Sequence, residues 1–131
     1  MAKILVAAAP EPRAVVERIL AGHELYCAET MADAERLLRE QSLDLIICTI
    51  AFDESRLFDL LKLAKSAPDW ARIPFVGARV RGNILHSPST LKTAAFTCQT
   101  LGAEGFLNIG DYEGDEPELE MREAIEGFLT A

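Results

Sequence analysis

Five residues carry the side chains most often used for metal binding, redox chemistry or nucleophilic catalysis. They are Cys27, Cys48, Cys98, His23 and His86. A zinc site requires close Cys/His pairs and a redox pair requires Cys-x-x-Cys, and neither spacing is present. The cysteines lie inside apolar segments, so we expect reduced thiols buried as small core residues, as in a reducing compartment. Each histidine stands alone in a predicted loop, which disfavours a catalytic or metal-binding role.

Acidic side chains are concentrated near the end of the chain. Residues 111–126 contain eight acids opposed only by Arg122, and eight less one gives −7 of the total charge of −8. Glu116, Glu120 and Glu123 recur at i, i+4 and i+7, so they would form one negative stripe on a helix. Two interpretations stay open: a solvated helix whose acids favour its N-terminal end, or a docking face for a basic partner.

The composition excludes several classes of function. The chain has 131 residues, with 13 Lys+Arg against 21 Asp+Glu. This length predicts a single domain over residues 1–131, since division becomes usual only above about 250 residues. The acidic balance argues against nucleic-acid binding and against a polybasic membrane attachment. No apolar run approaches the length of a membrane span and no secretory leader opens the chain, so we expect a cytoplasmic protein.

Apolar patterning predicts five strands alternating with five helices. Continuous, β-branched-rich runs predict strands buried on both faces, and these are residues 3–9, 25–28, 44–50, 73–77 and 105–108. Apolar residues at helical spacing predict helices that begin near residues 13, 30, 54, 88 and 115. Thr30 is a predicted N-cap, and Gly22 and Gly102 are predicted helix stops. Residues 66–69 are predicted as a turn and residues 79–87 as a loop.

This alternation predicts a doubly wound α/β domain with one parallel sheet covered by helices on both faces. Right-handed crossovers place the carboxyl ends of all strands on one edge, where α/β sheets bind their ligands. The residues expected at that edge are Ala8, Ala9, Thr49, Arg79 and 108–109.

Four motifs, in their order and spacing, resemble the receiver domain of bacterial two-component response regulators over essentially the whole chain. They are the opening K-I-L-V, the strand D-L-I-I-C, the turn and strand A-P-D-W-A-R-I-P-F-V, and G-A-E-G-F-L before the last helix. The resemblance implies a CheY-like, flavodoxin-like fold with strand order 2-1-3-4-5, and a role in signal transduction.

In that family an acid pair after the first strand binds Mg²⁺, and a phosphorylated Asp ends the third strand. A hydroxyl after the fourth strand and a Lys-Pro pair after the fifth hold the phosphoryl oxygens. The matching positions here are Ala8 and Ala9, then Thr49, then Arg79, then Ile109 and Gly110. None keeps the functional side chain, so the resemblance implies a degenerate pseudo-receiver that binds no metal or cofactor and performs no phosphotransfer. We interpret Asp53 and Glu54, just beyond Thr49, as helix-capping and surface residues.

Two functions of different kinds are expected, and a third is disfavoured. In the family the fourth helix, fifth strand and fifth helix form the output and dimerisation face. The resemblance therefore implies a protein-interaction module whose partner is a basic protein or a second copy of the chain. The alternative is a sensor of a small anion or ligand, with Thr49, Arg79 and Arg81 in the vacated pocket, although Arg79 could equally point to water or pair with a nearby acid. An enzyme is disfavoured because the first turn, A-A-A-P-E-P, lacks the glycines of a dinucleotide site.

Overall fold

A five-stranded parallel sheet forms the centre of the protein. The computed structural model describes residues 2–50, 52–53, 56–80, 88–109 and 117–129. The strands are β1 (Lys3–Ala7), β2 (Glu24–Ala28), β3 (Leu45–Thr49), β4 (Phe75–Arg79) and β5 (Gly105–Asn108). Their order in the sheet is β2-β1-β3-β4-β5, which confirms the predicted doubly wound topology.

Six helices within the described residues cover the sheet. They are α1 (Pro10–Ile19), α2 (Met31–Glu40), α3 (Leu57–Ser66), α4 (Pro68–Ala71), α5 (Pro88–Thr100) and α6 (Pro117–Glu126). The sequence predicted five of these helices and did not predict the short helix α4. Helix α4 replaces part of the turn that was predicted over residues 66–69. Pro68 occupies the first position of α4, where its fixed φ angle suits a helix and its missing N–H is not needed.

The two faces of the sheet bury separate apolar clusters. One cluster packs α2, α3 and the inner side of α5 against Leu5 and Ile46. The other packs α1 and α6 against Ile4 and Ile47. Alternate residues of β1 and β3 thus enter opposite clusters, and both strands are buried on both faces, as their continuous apolar runs predict.

Several predicted boundaries agree with local backbone chemistry. The Thr30 hydroxyl accepts a hydrogen bond from the Asp33 N–H at 3.2 Å, so Thr30 is the N-cap of α2 as predicted. Gly22 and Gly102 both have φ near +100°, a conformation that favours glycine where a helix ends. Strand β4 lies two residues later than predicted, because its pairing with β5 continues to the Arg79–Asn108 position.

The cysteines are free thiols in the structure. Cys48 and Cys98 are buried, as predicted, and burial raises the pKa of both. Cys27 is half-buried, and its thiol donates to Glu17 Oε1 at 3.3 Å. Burial and this hydrogen bond raise the pKa of Cys27 to about 11, so its thiolate is scarce at neutral pH.

Lys65 joins the amino ends of β4 and β5 to α3 and α4. Its ammonium group donates to the carbonyls of Ala71 at 3.0 Å and Ile73 at 3.1 Å, and to the Glu104 carboxylate at 2.9 Å. Glu104 also accepts the N–H of Phe75 at 2.5 Å. Because the Lys65 side chain is only 14% exposed, this cluster fixes where the two strands begin.

Candidate functional site at the carboxyl edge

The end of β1 presents two methyl groups at the carboxyl edge. Ala8 is completely buried, and its side chain belongs to the α1/α6 cluster. Its N–H donates to the Ala28 carbonyl at 3.0 Å. Ala9 is half-buried and is the N-cap of α1 without a side-chain hydrogen bond. Neither residue offers an oxygen ligand other than its main-chain carbonyl.

Thr49 ends β3 with a buried hydroxyl group. Its side chain is 2% exposed and it lies beside Ala78 of β4 in the parallel pairing. Within the described residues the Thr49 Oγ1 atom has no hydrogen-bond partner. A buried hydroxyl in this state has a desolvation cost and no base to activate it as a nucleophile.

Arg79 ends β4 with a guanidinium group that is held across to β5. The residue is 8% exposed, and its Nη1 donates to the side-chain carbonyl of Asn108 at 3.0 Å. Ile109, directly after β5, is half-buried and packs against the α1/α6 cluster. The edge therefore carries a cation on β4 and an apolar side chain after β5.

Asp53 caps α2 and not α3, the helix that follows it in the sequence. Its Oδ2 accepts the N–H of Met31 at 2.9 Å, at the first residue of α2, and lies 3.8 Å from Nη1 of Arg56. Helix α3 begins only at Leu57, so Asp53 is not part of its N-terminus. The carboxylate is thus committed to α2, and Glu54 lies outside the described residues.

These side chains do not fit a magnesium ion. Mg²⁺ requires at least one or two carboxylates besides its waters, whereas Ala8, Ala9 and Thr49 offer two methyl groups and a neutral hydroxyl. The buried cation of Arg79 adds a repulsive charge at the same edge. Across the part of the chain that the structure describes, no three His, Cys, Asp or Glu residues are grouped to hold a metal.

The predicted docking stripe is only partly within the described residues. Glu120 and Glu123 are exposed on α6, as a docking surface requires, whereas Glu116 lies outside the described ranges, as do residues 111–115. Arg81 of the predicted anion pocket, and His86, also lie outside them. On the face of the sheet opposite to α6, Phe96 of α5 is 69% exposed.

The sequence did not predict a polar cluster that joins α6 to the start of the sheet. Its members are His23, Arg122 and Glu126. His23 Nδ1 accepts the N–H of Ala2 at 3.0 Å, and His23 Nε2 lies 2.6 Å from Glu126 Oε2. Arg122 Nη1 donates to the carbonyls of Ile19 at 3.2 Å and Ala21 at 2.6 Å. The hydrogen bond from His23 is the main cause of a lowered pKa of Glu126.

A groove of about 740 Å³ lies at the opposite, amino edge of the sheet, between the end of α2 and α4. Trp70 lines it together with charges of both signs, Arg39, Arg72, Asp44 and Asp69. Because the amino and carboxyl edges are separated by the length of the strands, this groove is not part of the site around Thr49.

Solved structures of response regulators share this architecture. A protein assigned as a response regulator from Chloroflexus aurantiacus has a TM-score of 0.78 and 17% identity, covering 99% of this chain and 98% of that one. The signal receiver domain of a signal transduction histidine kinase from Syntrophus aciditrophicus has a TM-score of 0.74 and 20% identity, covering 99% and 91%. The phosphorylated cyanobacterial phytochrome response regulator RcpA has a TM-score of 0.74 and 19% identity, covering 99% and 94%.

No protein-family model matches the sequence, and no curated protein is significantly similar to it. The solved structures establish the architecture: the chain has the CheY-like, flavodoxin-like fold of receiver domains, as the sequence motifs predicted. Within the described ranges, no helix has the length and apolar character needed to cross a membrane.

Proposed function

We propose that the chain is a receiver-type domain that cannot be phosphorylated and that acts through protein–protein contacts in two-component-type signal transduction. The observation that carries this proposal is the chemistry of the carboxyl edge. The resemblance assigns the family's acids and hydroxyl to positions that here carry the methyl groups of Ala8 and Ala9, the hydroxyl of Thr49 and the cation of Arg79.

Phosphoryl transfer requires stabilisation of the charge on the transferring group, which comes from a metal ion and a cation placed on its oxygens. The methyl groups after β1 cannot hold that metal. Thr49 is a poor nucleophile because no described base contacts its hydroxyl. Arg79 is a cation, but its Nη1 is bound to Asn108. These residues therefore favour a domain that acts without catalysing phosphoryl transfer.

The proposed contact surface surrounds the edge strand β5. Helix α5 packs on one face of the sheet and α6 on the other, so both helices flank β5. The exposed residues on this surface include Phe96, Glu120 and Glu123. The two exposed carboxylates on α6 favour a basic partner, because complementary charges steer association, and the exposed phenyl ring on α5 offers a separate apolar contact.

Affinity capture from the native host tests this surface. The bait proteins are the unchanged chain, the double variant Glu120→Gln/Glu123→Gln, and the control Glu40→Gln, which removes an exposed acid from α2. We expect a basic partner captured by the unchanged chain and the control, and captured several-fold less by the double variant or at high salt. A partner that all three proteins retain equally at low and high salt would contradict a role for these acids. Sedimentation of the purified chain distinguishes a second copy from a different protein.

A small-anion sensor is the second candidate, and the unsatisfied Thr49 hydroxyl is the observation that favours it. That hydroxyl and the neighbouring Arg79 are buried donors at the edge where α/β sheets bind ligands. Thermal-shift measurements with phosphate, sulfate and nucleotides test this function, with Thr49→Val as the matched control. The sensor hypothesis predicts a rise in Tm that increases with anion concentration and is lost in the variant. Absence of a shift with every anion would exclude it.

A further inference from the structure

The groove at the amino edge of the sheet, between the end of α2 and α4, has the size and the surfaces of a binding site. Its volume of about 740 Å³ lies within the range of about 300–1,000 Å³ that is typical of ligand sites. Its base is apolar, because Leu38 and Leu43 are buried and Ile73 and Pro74 are half-buried. Trp70 of α4 is half-buried and packs against the cluster formed by α2, α3 and α5. The groove therefore offers a ligand one aromatic side chain beside several aliphatic ones.

Both walls of the groove are held in place by hydrogen bonds to neighbouring elements. The Asp44 N–H donates to the Lys3 carbonyl at 2.7 Å, and Asp44 Oδ2 accepts the Lys3 N–H at 2.9 Å. On the other wall, the carbonyls of Ala71 and Ile73 accept hydrogen bonds from the ammonium group of Lys65. A site that is formed before its ligand arrives loses less entropy on binding, so these anchors favour a preformed groove.

Each wall carries one acid and one base, and all four side chains are exposed. Arg39 and Asp44 lie on the α2 side, whereas Asp69 and Arg72 lie within α4 and directly after it. Arg39 is paired with Glu35, one helical turn earlier. Among the described residues no ion pair joins the two walls. Two carboxylates and a single unpaired cation thus face a ligand, in a chain of net charge −8, and this balance favours a cation over an anion.

We propose that this groove binds an arginine side chain that is presented by an extended segment of a basic protein partner. The planar guanidinium lies on the face of Trp70 and donates to the carboxylates of Asp44 and Asp69. Apolar residues beside the arginine contact Ile73 and Pro74. Lysine fits less well, because its ammonium group is a compact, strongly hydrated charge without a plane that can stack on the indole.

This groove is separate from the surface proposed above for partner binding. Glu120 and Glu123 of that surface lie on α6, whereas the groove lies between α2 and α4. Peptide binding in the groove is measured on the purified chain, without phosphotransfer and without the partner. The two proposals can therefore fail separately.

The fluorescence of Trp70 tests the proposal, because it is the only tryptophan of the chain. The probe is the acetylated and amidated tripeptide Leu-Arg-Leu, and the comparison peptides carry lysine, glutamate or citrulline, the neutral analogue of arginine, at the central position. We expect a saturable change with the arginine peptide, several-fold weaker binding of the lysine peptide, and no binding of the other two. Absence of a saturable change up to about 10 mM of the arginine peptide, or equal binding of the citrulline peptide, would overturn the proposal.

Charge variants in calorimetric titrations of the arginine peptide separate a cationic from an anionic ligand. Asp44→Asn/Asp69→Asn should weaken binding about 5- to 10-fold, and asparagine keeps the acceptor that the β1 amide requires. Arg72→Gln should strengthen binding about 2-fold, because it removes a like charge. The matched control Glu120→Gln/Glu123→Gln should bind as the unchanged chain does. Unchanged binding by the aspartate double variant, or weaker binding by Arg72→Gln, would refute the proposal.

Discussion

Replacing Thr49 with valine should stabilise the protein. The Thr49 side chain is 2% exposed, and its hydroxyl has no hydrogen-bond partner among the described residues. Leaving a buried polar group unsatisfied costs about 1–3 kcal/mol, whereas an apolar group of the same shape avoids that cost. Valine has this shape and favours the extended backbone of β3. We therefore expect the free energy of unfolding to rise by about 1–2 kcal/mol.

Urea denaturation measures this gain as a higher midpoint at an unchanged slope. Thermal unfolding should show a rise in Tm of roughly 3–8 °C. The control is Thr93→Val on the exposed side of α5, which should change stability by less than about 0.5 kcal/mol. If Thr49→Val is instead destabilised by about 1 kcal/mol or more, the hydroxyl has a partner in solution and the description of this site is wrong.

Three further predictions concern other parts of the fold. Lys65→Met should lower the free energy of unfolding by about 1–3 kcal/mol in urea, because it removes the ammonium donor from two carbonyls and from Glu104, which keeps only the Phe75 N–H; no change would mean that water replaces the ammonium group. Gly105→Ala should cost about 1–3 kcal/mol, because its new Cβ would lie 2.5 Å from the Phe128 ring; equal stability would show that the ring moves aside freely. Cys27 should be alkylated at pH 8 about 100-fold more slowly than a thiol of ordinary pKa 9.0, since its pKa is raised to about 11, and the rate should increase with pH; a rate equal to that of a free thiol, measured by mass spectrometry, would contradict this.

The strands could be predicted from the sequence because each is specified locally. An apolar, β-branched-rich run of strand length, such as residues 44–50, is typical of a strand buried on both faces of a sheet. Helix α4 was not predicted because its four residues are too few to show a helical period. The later position of β4 was not predicted because it depends on the contact with β5. The pairing of Arg79 with Asn108 extends β4, and no pattern within residues 73–79 reports that contact.

The sequence predicted which residues lie at the candidate site, but it did not predict which residues they contact. The parallel topology alone places Ala8, Ala9, Thr49 and Arg79 at one edge. The bond from Arg79 to Asn108 spans 29 positions in the sequence, and that from His23 to Glu126 spans 103. No sequence pattern links residues that far apart, so these partners can be identified only from the folded structure.

We propose that this receiver fold has lost phosphotransfer. The most direct measurement is the intact mass of the chain after incubation with Mg²⁺ and acetyl phosphate, with a phosphorylatable receiver domain treated in parallel as the control. We expect the control to gain a phosphoryl group while this chain keeps its mass, because Ala8 and Ala9 offer no carboxylate to hold Mg²⁺ and no described base contacts the Thr49 hydroxyl. A stable phosphoryl adduct on this chain would show that it retains phosphotransfer.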